Sequence, residues 1–132
     1  MGVCLAAGLL AAALPLSTFT VAWNHSIEKI RWEEDYRVAA GRLVLEEARI
    51  RGSGAGMEPP PDARLEHGVW HYRPALQPLE RLRLTHSRYT AGYEICGAGR
   101  CQPLTSLLPG LPEYAVVEVT ACDAPAAAKA DR

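Results

Sequence analysis

Residues 19–38 read F-T-V-A-W-N-H-S-I-E-K-I-R-W-E-E-D-Y-R-V, and this stretch decides the fold. Over residues 19–24, aromatic and β-branched side chains occupy every second position, the period of two that is typical of a half-buried strand. The same period returns over residues 34–38, where Glu34 shares a face with Tyr36. The stretch therefore predicts two strands, with polar residues where the first one ends.

Further along the chain, short segments with strand-like composition alternate with glycine- and proline-rich turns. These segments are 43–51, 69–72, 79–85, 93–96 and 114–120. Ten prolines and eleven glycines argue against a helical bundle. We expect an all-β fold, a small antiparallel β-sandwich or barrel of about seven short strands, as a single domain over residues 17–122. A disordered tail is expected over residues 123–132.

Composition excludes two classes of protein. Of the 132 residues, 22% are charged and 48% are hydrophobic, which is ordinary for a globular chain and unlike a disordered one. The net charge of −1 gives no global footprint for nucleic-acid binding.

The N-terminal segment predicts export. Val3 to Leu16 is an apolar run without charge, about as long as the core of a signal peptide and shorter than a membrane span. Residues 1–16 are therefore expected to be a signal peptide, cleaved near Ala13, or an uncleaved N-terminal membrane anchor. Either places the protein in the periplasm or on the extracytoplasmic face of the inner membrane, with membrane association only through an uncleaved leader.

The cysteines agree with an oxidising compartment. Cys96 and Cys101 flank the turn G-A-G-R, and cross-strand cysteines at such a turn can form a disulfide. A zinc site would need two further ligands at a spacing that matches no standard zinc ribbon, so the disulfide is favoured. Cys122 is then either a buried thiol or a partner for Cys4 if the leader is retained.

The polar stretch contains the candidate site: His25, Ser26, Glu28 and Glu34. His25 has three interpretations: a hydrogen-bonded residue at a strand end, a contact to a ligand or partner, or a catalytic group. Adjacent residues of a strand point to opposite faces, so His25 and Ser26 are not a ready base and nucleophile. No catalytic residue, cofactor or metal is predicted.

A second candidate is the glycine loop G-S-G-A-G, with Gly54 and Gly56. It lacks the lysine of a phosphate-binding loop, and the prolines that follow prevent a helix from starting there. Its amides could form an anion nest, or the loop could simply pack closely against a strand. Arg83 or Arg88 could pair with a carboxylate of a solute or of the acidic segment.

The stretches from Trp23 to Val38 and from Leu45 to Met57 resemble a family of small exported bacterial proteins of unknown function. The resemblance rests on His25-Ser26-Ile27-Glu28, on Glu34 and on Gly54-Ala55-Gly56. Members are often encoded beside permeases of tripartite ATP-independent periplasmic (TRAP) transporters, in the subgroup with TAXI-type solute receptors. The resemblance implies a periplasmic accessory role in solute uptake, with the permease or its solute receptor as partner.

Two functions remain open from the sequence. The first is a periplasmic binding or accessory protein of a TRAP-type uptake system, without a defined enzyme activity. The alternative is a metal-binding protein or metal-dependent hydrolase that uses His25, Glu28 and Glu34, with His86 as a further ligand.

Overall fold

The computed structural model describes residues 1–24, 30–51, 61–89 and 92–123. Within these ranges the chain forms eleven strands and one short helix. In chain order they are β1 (Gly2–Ala7), β2 (Leu10–Leu14), β3 (Thr18–Asn24), β4 (Arg31–Ala39), β5 (Arg42–Arg51), β6 (Arg64–Glu66), β7 (Val69–Tyr72), β8 (Arg81–His86), β9 (Tyr93–Gly97), β10 (Arg100–Pro103), α1 (Leu104–Leu107) and β11 (Ala115–Cys122).

The strands form two antiparallel sheets, so the all-β prediction is confirmed. One sheet has four strands in the order β2-β1-β11-β8, and the other has seven in the order β10-β9-β3-β4-β5-β7-β6. In the described part of the chain neither sheet closes on itself, so the barrel alternative is wrong. The expected count of about seven strands is too low, because β1 and β2 were attributed to a leader and β6 and β10 are only three and four residues long.

The hydrophobic core draws on inward-facing residues of both sheets. The fully buried side chains include Val3, Leu5, Val117 and Val119 of the four-stranded sheet and Val21 of the seven-stranded sheet. Leu104 and Leu108, at and just after α1, also belong to this core. The alternation seen in the sequence is thus the division of each strand between core and solvent.

In the structure the N-terminal run forms two strands of the four-stranded sheet, and its processing as a leader stays a prediction. β1 pairs with both β2 and β11, and Val3 and Leu5 are fully buried. Small and branched apolar residues satisfy a signal-peptide core and a buried strand equally well, so composition alone could not separate the two. Cleavage near Ala13 would remove both strands. Among the described residues no helix is long and apolar enough to cross a membrane.

Two disulfides connect strands. Cys96 and Cys101 are directly paired across the β9–β10 hairpin, so the predicted bridge is confirmed. Cys4 of β1 bonds to Cys122 of β11, which is the pairing expected if the N-terminal segment is retained. This second bridge joins the two ends of the described chain. Of the predicted tail, only Asp123 lies within the described residues.

Candidate functional site

Several strands of the seven-stranded sheet end together at one edge, called here the Asn24 end. Asn24, the last residue of β3, pairs with Arg31, the first of β4, and Arg31 also pairs with Arg51, the last of β5. Residues 25–29 follow Asn24 and residues 52–60 follow Arg51 in the chain. Both segments predicted as recognition elements are therefore attached to strands that end at the same edge.

On the inner face of this sheet, Glu34 lies among smaller side chains. Its direct cross-strand neighbours are Val21 on β3 and Ala48 on β5, and Ala48 in turn pairs with Tyr72 on β7. Val21 and Ala48 are buried. The hydroxyl of Tyr36, two residues along β4, donates a hydrogen bond of 2.9 Å to Oε1 of Glu34. A carboxylate thus occupies a row that otherwise carries apolar and aromatic groups.

The next row toward the Asn24 end is mostly aromatic. Tyr93, Trp23 and Trp32 are successive cross-strand neighbours, followed by Ile50 and Trp70. The rings of Trp23 and Trp32 are stacked with centroids 6.1 Å apart, and the ring of Tyr93 is tilted at 5.4 Å from that of Trp23. The Nε1–H of Trp32 is shielded from solvent and has no hydrogen-bond partner within the described residues.

The electrostatics of Glu34 follow from its burial. Burial raises the pKa of Glu34 above its ordinary value, while the hydrogen bond from Tyr36 acts in the opposite direction. Burial raises the pKa values of Tyr72 and Tyr93, and the charge of Glu34 raises them further. No arginine, lysine or histidine of the described ranges forms an ion pair with Glu34. Its charge is therefore uncompensated in this part of the molecule.

The outer face of the same sheet is different, because its acids are paired. The Arg49 guanidinium contacts Glu33 at 3.0 Å, Asp35 at 2.7 Å and Glu47 at 3.0 Å. Burial alone would raise the pKa of Glu33, but hydrogen bonds from Arg31 and Arg49 hold it below its ordinary value. A β-bulge at Asp35/Tyr36 interrupts the register, and Glu46 and Glu47 both pair with outer-face arginines. We call Arg49 with its three acids, Glu33, Asp35 and Glu47, the Arg49 network; each acid in it is paired with the guanidinium.

An open depression of about 300 Å³ lies beside the Arg49 network. Thr18, Thr20, Asp35 and Arg49 line it, together with the Cys96 disulfide. Its polar groups are already engaged with one another, since Thr20 donates a hydrogen bond of 2.7 Å to Asp35, which also accepts from Arg49.

The structure brings together only some of the residues predicted from the sequence. Glu34 is at the site, whereas His25, Ser26, Glu28, Gly54 and Gly56 lie outside the described residues. Arg83 pairs with Glu118 at 3.1 Å and Arg88 with Glu113 at 3.2 Å, both exposed. Their role in binding a ligand or partner stays a prediction.

The described residues do not provide a complete set of ligands for the predicted metal site. Glu94, Cys96 and Cys101 form the one cluster of three metal-ligating side chains among the described residues, but the disulfide consumes both thiolates. Nδ1 of His86 is shielded and has no partner in this part of the chain, and no contact joins it to Glu34. The alternative with His25 and Glu28 stays a prediction, which elemental analysis of untagged protein would test.

Sequence reasoning missed the aromatic row. Trp23 and Trp32 are the same number of residues from the middle of the β3–β4 connection. They therefore become direct cross-strand neighbours when Asn24 pairs with Arg31. That symmetry is readable in the sequence. The contribution of Tyr93 is not, because β9 pairs with β3 across about seventy residues of chain.

Comparison with known proteins gives one match. Residues 19–104 match the family described as Domain of unknown function (DUF1850). No curated protein and no solved structure matches the chain. The matched range contains the seven-stranded sheet except Thr18, the first residue of β3, together with β8, and so includes Glu34 and the aromatic row.

Proposed function

The chain belongs to the DUF1850 family, and on that basis we propose that it is an extracytoplasmic binding or accessory protein of a TRAP-type solute uptake system, recognising its ligand or partner at the Asn24 end. The observation that carries the proposal is the Glu34 carboxylate. It is partly buried among aromatic rings, with one hydrogen bond from Tyr36 and no ion pair in the described part of the chain. Half-buried charges without partners cluster at functional sites.

Two features support a location outside the cytosol. Both disulfides are of the kind that persists in oxidising compartments and is rare in the cytosol. The proposed location is the periplasm or the outer side of the inner membrane, which agrees with the resemblance to exported proteins. The permease of the system or its TAXI-type solute receptor is the proposed partner.

The position of the site also supports recognition rather than a purely structural role. Loops at strand ends on a rigid β scaffold commonly carry binding residues. His25, Ser26, Glu28, Gly54 and Gly56 belong to the two segments attached at the Asn24 end. We propose that they act with Glu34; Arg83 and Arg88 lie elsewhere in ion pairs and are candidates only for a separate contact with the partner.

Solute uptake in cells that lack the native protein tests this proposal. Cells complemented with Glu34→Gln or His25→Ala are expected to take up much less solute than cells with wild-type protein, while neither variant loses appreciable thermal stability. Glu80→Gln is the matched control, because Glu80 is an exposed acid that pairs with Arg42 and belongs to no proposed contact. Normal uptake with both site variants, or a large loss of stability in both, would overturn the proposal.

A further inference from the structure

Among the described residues, Glu34 differs from the other acids of its sheet in having no ion-pair partner. Its neighbours in sequence, Glu33 and Asp35, each accept hydrogen bonds from Arg49 on the outer face. Glu94 on β9 likewise pairs with Arg31, at 3.1 Å. Within the described residues Glu34 has only the neutral Tyr36 phenol. A partly buried carboxylate is costly unless its charge is compensated, so the site is electrostatically suited to a positive group from outside.

The aromatic row beside Glu34 favours the same sign of charge. The face of an indole or phenol ring carries negative electrostatic potential and attracts cations, with Trp the strongest. Trp23, Trp32 and Tyr93 are adjacent, and each of these residues is only partly buried. Proteins use grouped aromatic rings to bind quaternary ammonium groups. The same arrangement repels an anion.

We propose that the ligand recognised at the Asn24 end carries an ammonium group, held by the Glu34 carboxylate and by the ring faces of Trp23, Trp32 and Tyr93. This inference rests on the proposed function, since it names the chemical class of ligand for the same site. The Tyr36 hydroxyl fixes Oε1 of Glu34 and leaves Oε2 for the cation. A hydrogen-bond acceptor on the ligand would satisfy Nε1–H of Trp32.

Titration of the full chain with tetramethylammonium chloride, followed by tryptophan fluorescence at constant ionic strength, tests the inference. Wild-type protein is expected to give a saturable change, because two of its three tryptophans line the site. Sodium chloride and sodium propionate serve as ion and anion controls and should give none. Glu34→Gln should bind tetramethylammonium about tenfold more weakly or worse, the effect expected when a charged contact worth roughly 1.4 kcal/mol is lost.

Two further variants keep the test decisive. Trp23→Leu should also weaken the binding, since it removes the ring between Trp32 and Tyr93. Glu118→Gln should bind as wild type does, because its carboxylate lies on the exposed face of the other sheet beside Arg83. The ammonium assignment would be overturned if wild type gave no saturable change or bound propionate instead. It would also be overturned if wild type and Glu34→Gln bound tetramethylammonium equally.

The result is separable from the uptake experiment. If Glu34→Gln abolishes uptake but wild type binds only propionate, the recognition site stands and the ammonium assignment is wrong. If tetramethylammonium binding depends on Glu34 but uptake does not, the ligand class stands and the transporter role is wrong.

Discussion

The Cys4–Cys122 disulfide is expected to contribute most of the stability that crosslinks give this fold. We predict that replacing both cysteines by serine lowers the free energy of unfolding far more than replacing Cys96 and Cys101. The two bridges differ in the length of chain that they close, with sequence separations of 118 and 5. Closing a longer loop removes more entropy from the unfolded chain.

The magnitude follows from those separations. The loop-closure relation gives about 5 kcal/mol for the Cys4–Cys122 bridge and about 2 kcal/mol for the Cys96–Cys101 bridge. Since small domains are stable by only roughly 5–15 kcal/mol, the first loss is a large fraction of the total. It would also free β1 from β11 and expose core residues such as Val3 and Leu5.

Guanidinium unfolding monitored by tryptophan fluorescence measures both losses. The double variant Cys4→Ser/Cys122→Ser should show a much lower midpoint than Cys96→Ser/Cys101→Ser, and the reduced wild type should resemble a protein that lacks both bridges. Equal losses in the two double variants, or a larger loss from the β9–β10 bridge, would refute the reasoning. Such a result would mean that β1 and β2 are not an integral part of the folded body.

Two further predictions concern the charged faces of the seven-stranded sheet. Because the pKa of Glu34 is raised in the fold, its ionisation opposes folding. Glu34→Gln should therefore be as stable as wild type below about pH 4, near the usual pKa of a carboxyl, and more stable than wild type as the pH rises. Thermal melts across pH measure this difference. Arg49→Met should lower the free energy of unfolding, measured by chemical denaturation, by about 2–3 kcal/mol, because it leaves Glu33 and Asp35 partly buried with fewer partners. The control Arg37→Met removes an exposed pair and should lower it by about 0.5 kcal/mol or less. A stability gain of Glu34→Gln that is largest in acid, or equal losses in the two arginine variants, would contradict these expectations.

Much of the fold was predictable from local patterns. The period of two over residues 34–38 correctly groups Glu34 with Tyr36, and the turn between Cys96 and Cys101 correctly predicts a bridged hairpin. Segment 43–51, whose propensities allow a helix, forms β5 as predicted. These features depend on neighbours in sequence, which is why the sequence alone sufficed.

The remaining features depend on pairings between distant segments. The composition of residues 3–16 fits both a leader and a buried hairpin, and the pairing of β1 with β11 joins segments more than a hundred residues apart. The ion partner of Arg83 is likewise set by the pairing of β8 with β11, and that of Arg88 by how the segments after β8 and before β11 come together. At the site, the strand alternation predicts that Glu34 faces the opposite side of the sheet from Glu33 and Asp35. That no described cation pairs with Glu34 is visible only in the three-dimensional structure.

The most direct test of the central claim, that the Asn24 end is the recognition site, is a map of backbone and indole NMR signals during titration with tetramethylammonium chloride. We predict that the signals that shift belong to Trp23, Trp32, Glu34 and Tyr93 and that those of Arg49 and β8 stay unchanged. Shifts confined to the Arg49 network, or to the exposed face of the four-stranded sheet, would contradict the account.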